Sequence, residues 1–191
     1  MRVDEQLVMQ STVITDFTSR LARITDLDAL RGVMSRAIAG LQNDFLSPEQ
    51  VAASHKVMGL DTQLIADQTY FMVKRAQRIV GCGGWSWRAT LYGGDDSIVL
   101  REPAPLDPIK DAAKIRAMYT DPAYARQGIG RIVLGLCEDA ARTAGFRRTE
   151  LMATMAGEPL YRAAGYKPVE ALNSASIDGV TVPLLRMEKL L

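Results

Sequence analysis

Residues 124–131 read Tyr-Ala-Arg-Gln-Gly-Ile-Gly-Arg and run straight into IVLGLCEDAARTAG, whose apolar residues recur at helical spacing. A helix start leaves its first N–H groups without partners and carries the positive end of the helix dipole, so an anion placed there is stabilised twice over. Gly128 and Gly130 leave the backbone open to close approach. Arg126 and Arg131 add planar cationic donors suited to phosphate oxygens, so this stretch points to a phosphorylated ligand. Two well-known phosphate loops do not fit. The dinucleotide fingerprint needs a third glycine where Val133 stands, and the nucleotide P-loop needs Gly-Lys-Ser/Thr where this chain has Gly130-Arg131-Ile132. Taken alone, Gly-Ile-Gly also serves as a plain turn into a core helix.

Other residues with chemical potential are fewer. Gly84-Trp85-Ser86-Trp87-Arg88 approaches a nucleophile elbow but ends in Arg, and His55 is the sole histidine, which argues against a serine-hydrolase triad. His55 falls on a polar helical stretch and reads as a surface residue. Trp85 and Trp87 alternate on one strand and share a face, lining a pocket or filling core. Glu150, Asp121, Asp95, Asp96 and Glu158 are candidate bases, each equally readable as a solvated carboxylate, and Gly93-Gly94-Asp95-Asp96 is most simply a turn. Cys82 and Cys137 lie far apart among apolar residues, which fits reduced core thiols better than a disulfide or a metal site. No metal ligands are assigned.

These residues need a scaffold. SRLARITD reads as a short strand ending at Asp26, the expected N-cap of a helix over DLDALRGVMSRAIAGLQ. Ser47-Pro48 opens a second helix that Gly59 breaks. TYFMVKRA and QRIVGCGGWSWR form a predicted hairpin, and residues 89–111 a long connection with three prolines. AKIRAMYT, the helix over 128–144 closed by Gly145, and RRTELMAT make a β-α-β unit, so strands 114–120 and 148–154 should be parallel. EPLYRAAG reads as a short helix, and YKPVEA and GVTVPLLRMEKL as the final strands.

The 191 residues, 48% apolar and 24% charged, suit one globular domain at 18–191 behind an N-terminal arm at 1–17. Lys plus Arg number 23 against 22 Asp plus Glu, so no global field draws the molecule to nucleic acid or membrane. With no signal-like or spanning segment, a cytoplasmic location is expected.

The Gly128-x-Gly130 loop after a strand, together with Pro159-Leu160-Tyr161-Arg162-Ala163-Ala164-Gly165-Tyr166 about 30 residues on, resembles motifs A and B of the GNAT superfamily of N-acetyltransferases. Ala125 departs from that family's leading Gln or Arg. The resemblance spans roughly residues 18–190 and implies a single-domain mixed α/β fold, with a twisted sheet of six or seven strands and helices on both faces. It implies acetyl-CoA as cosubstrate, held by Met118, Tyr119, Thr120, Arg126, Gln127, Gly128, Ile129, Gly130 and Arg131. Tyr161 is then the catalytic residue serving the departing thiolate, although its spacing with Leu160 and Ala164 also suits a core aromatic. The implied reaction is acetyl transfer to a primary amine of a small molecule or peptide. A catalytically silent acyl-CoA sensor, or acyl transfer to a hydroxyl or with a longer chain, remains an alternative. The terminal strand and sheet edge offer a surface for a homodimer.

Overall fold

The computed structural model describes residues 16–191; most of the N-terminal arm, residues 1–15, lies outside them. The chain runs β1 (Phe17–Leu21), α1 (Leu27–Leu41), α2 (Pro48–Val57), α3 (Thr62–Ala66), β2 (Tyr70–Arg75), β3 (Arg78–Ser86), β4 (Ala113–Thr120), α4 (Ile129–Thr143), β5 (Arg148–Thr154), α5 (Glu158–Ala163), β6 (Lys167–Asn173) and β7 (Pro183–Leu190). The strands form one seven-stranded sheet in the order β1-β2-β3-β4-β5-β7-β6. β4 and β5 are parallel, with α4 between them in the chain; every other neighbouring pair is antiparallel.

Helices cover both faces, which is why β3 is buried from Ile79 to Ser86 instead of alternating. On one face α4 presents Ile129, Val133, Cys137 and Ala141 to Val80, Trp85, Ile115 and Leu151. On the other, Leu30, Val33 and Ile38 of α1 meet Met72, Cys82 and Tyr119. Small residues in β3 set how closely the helices approach. A Cβ at Gly83 would sit 2.8 Å from Val133, and one at Gly84 would sit 2.7 Å from Tyr70 on the opposite face. A third cluster packs Ala53 and Val57 of α2 on Val182 and Leu184, while the edge strand β6 is exposed along almost its whole length.

Three local expectations change. The first strand stops at Leu21, and Ile24–Asp26 form a 3-10 turn because the Asp26 carboxylate accepts the Arg23 N–H at 2.8 Å and both ends of the Arg20 guanidinium at 2.8 Å. Asp26 therefore gives no side-chain cap to α1. The second helix divides into α2 and α3. Ser47 caps α2 with Pro48 in its first turn, and the Asp61 carboxylate caps α3 by accepting the Gln63 N–H at 3.0 Å. Between them Gly59 lies against Gly94, where a Cβ would stand 3.1 Å from the Gly94 Cα, so two backbones cross at contact distance. The last strand begins at Pro183, after a turn through Asp178 and Gly179, both at positive φ. The Trp pair does share a face, as part of the core around α4: Trp85 stacks edge-on with Phe146 at 6.0 Å, and Arg88 covers Trp87 at 4.0 Å.

Candidate active site

The site begins where the sheet divides. β4 and β5 pair only at Ala113↔Thr149, Lys114↔Glu150 and Ile115↔Leu151, although β4 continues to Thr120 and β5 to Thr154. Beyond Ile115 each strand keeps its outer partner, β3 for β4 and β7 for β5, so a gap opens inside the sheet and frees the facing backbone groups. A bulge bends β4 away. Cys82 pairs with Tyr119 and Gly84 with Arg116, so β4 carries one residue more than β3 over this interval, and Ala117 takes φ 51°. The Tyr70 hydroxyl, donating to Ala117 O at 2.8 Å, pins the bulge.

At the end of β4, Asp121 is buried and accepts the Ala123 N–H at 3.1 Å, Arg36 at 2.9 and 3.1 Å, and Arg78 at 2.9 Å. Burial by itself would raise the Asp121 pKa; the Ala123 N–H and the two guanidinium groups outweigh it and leave the carboxyl below its ordinary range. A 3-10 turn, Pro122–Tyr124, follows. Arg126 (φ 64°) and Gly128 (φ 84°) then turn the chain into α4. Gly128 is needed for its conformation, since nothing lies near its missing Cβ; Gly130 is needed for space, since a Cβ there would be 2.8 Å from Leu160. The same position is 3.8 Å from the Thr120 hydroxyl, so this loop adjoins the gap.

The first backbone bond of α4 runs from Ile132 N–H to Gly128 O at 3.0 Å. Among the described residues, no backbone acceptor takes the N–H groups of Arg126 through Arg131. The exposed Arg126 and Arg131 form no ion pair among the described residues, and Gln127 and Gly128 are exposed beside them. Ile129 differs: its side chain is core, leaving only its backbone for a ligand. Tyr119 likewise offers backbone alone, because its hydroxyl donates to Gly59 O at 3.1 Å.

Tyr161 on α5 is 7% exposed, packs edge-on against Tyr166 at 5.9 Å, and fits because Gly157 leaves room for its ring. Burial pushes its pKa well above that of a free phenol, so the hydroxyl holds its proton. It lines a cavity of about 110 Å³ together with Met118 and Tyr119 of β4, Met152 and Thr154 of β5, and Val57 and Met58 by α2. Residues from both faces of the sheet thus meet in the gap.

A model of the acetyltransferase (GNAT) family matches residues 38–166. The chain belongs to the GNAT family. Solved structures of similar fold include a GCN5-related N-acetyltransferase from Rhodopseudomonas palustris (17% identity, TM-score 0.65, covering 91% of this chain and 95% of that one). PaiA N-acetyltransferase from Thermoplasma acidophilum in complex with coenzyme A is another (15%, 0.60, 92% and 99%). YncA from Salmonella typhimurium with its cofactor acetyl-CoA is a third (16%, 0.59, 92% and 94%). No curated protein matches the chain. The mixed sheet with helices on both faces is the GNAT fold, and acetyl-CoA is the acyl donor of the GNAT family.

Within this GNAT domain none of the five carboxylates singled out in the sequence lines the cavity. Glu150 is buried between Lys114 and Arg186, Asp121 is locked as above, Asp95 holds Thr62 and Arg101, Glu158 holds Arg162 at 2.6 Å, and Asp96 is exposed. His55 is exposed on α2. Cys82 and Cys137 are buried free thiols, the first pushed up to about 12 and the second higher still by desolvation, so neither is a nucleophile. Sequence reasoning missed Arg116, Met152, Thr154 and the wall formed by Val57–Gly59 and Leu91–Gly93. The two charged residues inside the strand AKIRAMYT, Lys114 and Arg116, were the available signal. Among the described residues no helix is long and apolar enough to cross a membrane.

Proposed function

We propose that the protein is an acetyl-CoA-dependent N-acetyltransferase that acylates a primary amine of a small molecule or peptide by direct transfer. The observation that carries this reading is the run of unpaired N–H groups at Arg126–Arg131, beside a gap in the sheet that Tyr161 lines. The amides of Gly128, Ile129, Gly130 and Arg131, with the Arg126 and Arg131 side chains and Gln127, would hold the diphosphate. The freed backbone of Met118, Tyr119 and Thr120 would hold the acyl arm. When bound, acetyl-CoA supplies a thioester carbonyl activated toward an amine.

A β4 N–H directed at the carbonyl oxygen stabilises the charge that develops there, a contribution of roughly 3–4 kcal/mol for one donor. The neutral Tyr161 hydroxyl donates to the departing sulfur. Burial disfavours phenolate and thiolate alike, so the proton shared between them stays matched although both groups are weaker acids than in water. With no carboxylate on the cavity wall, the amine enters neutral and its proton leaves by solvent. A silent acyl-CoA sensor would share the loop, but the cavity walled from both faces of the sheet favours an enzyme. Thiol release from acetyl-CoA across a panel of amines tests the proposal, with calorimetry of CoA alongside. Turnover with any amine supports it; CoA binding without turnover on any amine returns the sensor reading.

A further inference from the structure

The cavity has two sides, and the alternation of side chains along β5 and β7 tells them apart. Leu151 and Ala153 of β5 and Leu185 and Met187 of β7 pack into the core under α4. Met152 and Leu184, one residue out of step, project from the opposite face and join Val57 and Met58 beside α2. The loop with the free amides opens α4, and Tyr161 and Met118 belong to the α4-side core, so an acyl-CoA held by that loop reaches the cavity from the α4 side. The acceptor then meets the α2 side, where Val57, Met58, Tyr92, Met152 and Leu184 form the wall.

That side carries one charge, and the fold has already answered it. Arg116, with its side chain 2% exposed, donates from Nη1 to Asp61 Oδ2 at 2.7 Å and from Nη2 to Gly93 O at 3.0 Å, and its Nε is sealed from solvent. Asp61 also faces Arg101 at 3.3 Å, and Arg101 pairs with Asp95, so the four charges cancel. The Thr154 hydroxyl accepts the Gly157 N–H at 3.2 Å. No other lining residue is Asp, Glu, Lys, Arg or His.

An ion moved from water onto such a wall loses its hydration and gains no partner, whereas an apolar body exchanges water for contact. The thioethers of Met58 and Met152 add adaptable, polarisable surface that accepts a hydrocarbon chain or the edge of an aromatic ring. Resting on the acetyltransferase reading of this same cavity, we propose that the acceptor is a primary monoamine on an uncharged apolar body, an alkyl- or arylalkylamine, and that the α2-side wall rejects amines bearing a second charge of either sign. An amino acid brings a carboxylate that finds no free donor there. A polyamine brings a second ammonium that finds no free carboxylate.

The test measures thiol release at saturating acetyl-CoA for amines matched in body, with each rate taken per unprotonated amine. Phenethylamine is set against phenylalanine, with phenylalaninamide supplying the bulk without the carboxylate, and pentylamine against cadaverine, the same chain with a second amine. The intact protein should favour phenethylamine over phenylalanine, and pentylamine over cadaverine, by at least about tenfold in kcat/KM, as an unpaired charge on an apolar wall requires. Phenylalaninamide should be used better than phenylalanine. Met152→Glu, which puts a carboxylate on the wall, should move the preference toward cadaverine by about tenfold, a change of direction that lost packing alone does not produce. Equal or better use of phenylalanine or cadaverine by the intact protein overturns the proposal. So does equal rejection of phenylalaninamide and phenylalanine, which would make bulk the cause, and so does an unchanged preference in a folded Met152→Glu variant. If that variant fails to fold, the ratios of the intact protein decide alone. Turnover that ignores or prefers the second charge sinks this inference and spares the acetyltransferase reading, whereas CoA binding with an unreactive panel sinks both.

Discussion

Arg116 and Tyr119, three residues apart on β4, project from the same face of the sheet, Arg116 to Asp61 and Tyr119 to Gly59 O. In a regular strand residues at odd separation face opposite ways. The extra residue at Ala117 reverses that parity, and it does so at the level where β4 parts from β5. One distortion therefore opens the gap and places a guanidinium on its wall.

That arrangement has a stability signature. Ala117 holds φ 51°, a region that costs a non-glycine residue roughly 1–2 kcal/mol and a β-branched one more. Ala117→Val should lower unfolding free energy by at least about 1–2 kcal/mol, while Ala117→Gly should be neutral or mildly stabilising. Urea denaturation of the two variants checks this, and an equal loss in both contradicts it.

The loop before α4 makes a separate prediction. Gly128→Ala forces a side chain to φ 84° where no neighbour is in the way, so its cost is conformational, about 1 kcal/mol. Distortion of the adjoining amides should weaken CoA binding by roughly fivefold to tenfold in calorimetry. Arg131→Ala, at an exposed position, should weaken it less, and the difference from the unaltered protein should shrink at 0.5 M salt, where screening is within about 5 Å.

Tyr161→Phe keeps the ring that packs on Tyr166 and removes the hydroxyl. Turnover should fall by roughly a hundredfold or more, with CoA affinity changed by less than about twofold. Equal losses in turnover and affinity would mean that the ring only shapes the pocket.

The pH profile follows from what the cavity lacks. With no carboxylate on the wall to act as base, kcat/KM should rise with pH as the free acceptor loses its proton, levelling near pH 8 for a peptide N-terminus and near pH 10 for an alkylamine. Tyr161 brings no fall below pH 10, because burial moves its ionisation up. A plateau near pH 6 common to all acceptors would expose a base on the enzyme.

Asp121 gives a linkage test. Its folded pKa lies below the ordinary value, so its contribution to stability is complete above the unfolded pKa of about 3.9 and is lost as pH falls through the folded one. Asp121→Asn should cost about 1–3 kcal/mol at pH 7, because two guanidinium groups lose their shared carboxylate, and the deficit should narrow below about pH 4. A deficit independent of pH would point to packing.

Much of this was legible in the sequence because it is local. Gly128 and Gly130 before a helical stripe, the β-α-β order and the Tyr161 helix each announce themselves within a few residues, and the seven-stranded mixed sheet follows from the element order. What stayed hidden depends on partners far along the chain. AKIRAMYT reads as an unbroken strand, since nothing in Ala117 signals a left-handed residue; its bulge depends on the register with β3 and on the Tyr70 hydroxyl. Gly59 reads as a helix breaker, yet its close approach is to Gly94, and Asp26 reads as a cap until Arg20 and Arg23 take its carboxylate. Arg116 drew no notice in AKIRAMYT, where Lys114 is a second charge, because its pocket is assembled from α2, β5 and the Leu91–Gly93 loop.

Free amides at the start of α4 should grip a diphosphate beside the gap between β4 and β5. Titration calorimetry of the intact protein with CoA and with pantetheine, which lacks the diphosphate, tests it most directly. Saturable heat is expected with CoA, and at least about a hundredfold weaker binding of pantetheine, as loss of several charge-assisted hydrogen bonds requires. No heat with CoA, or equal affinity for the two, would contradict it.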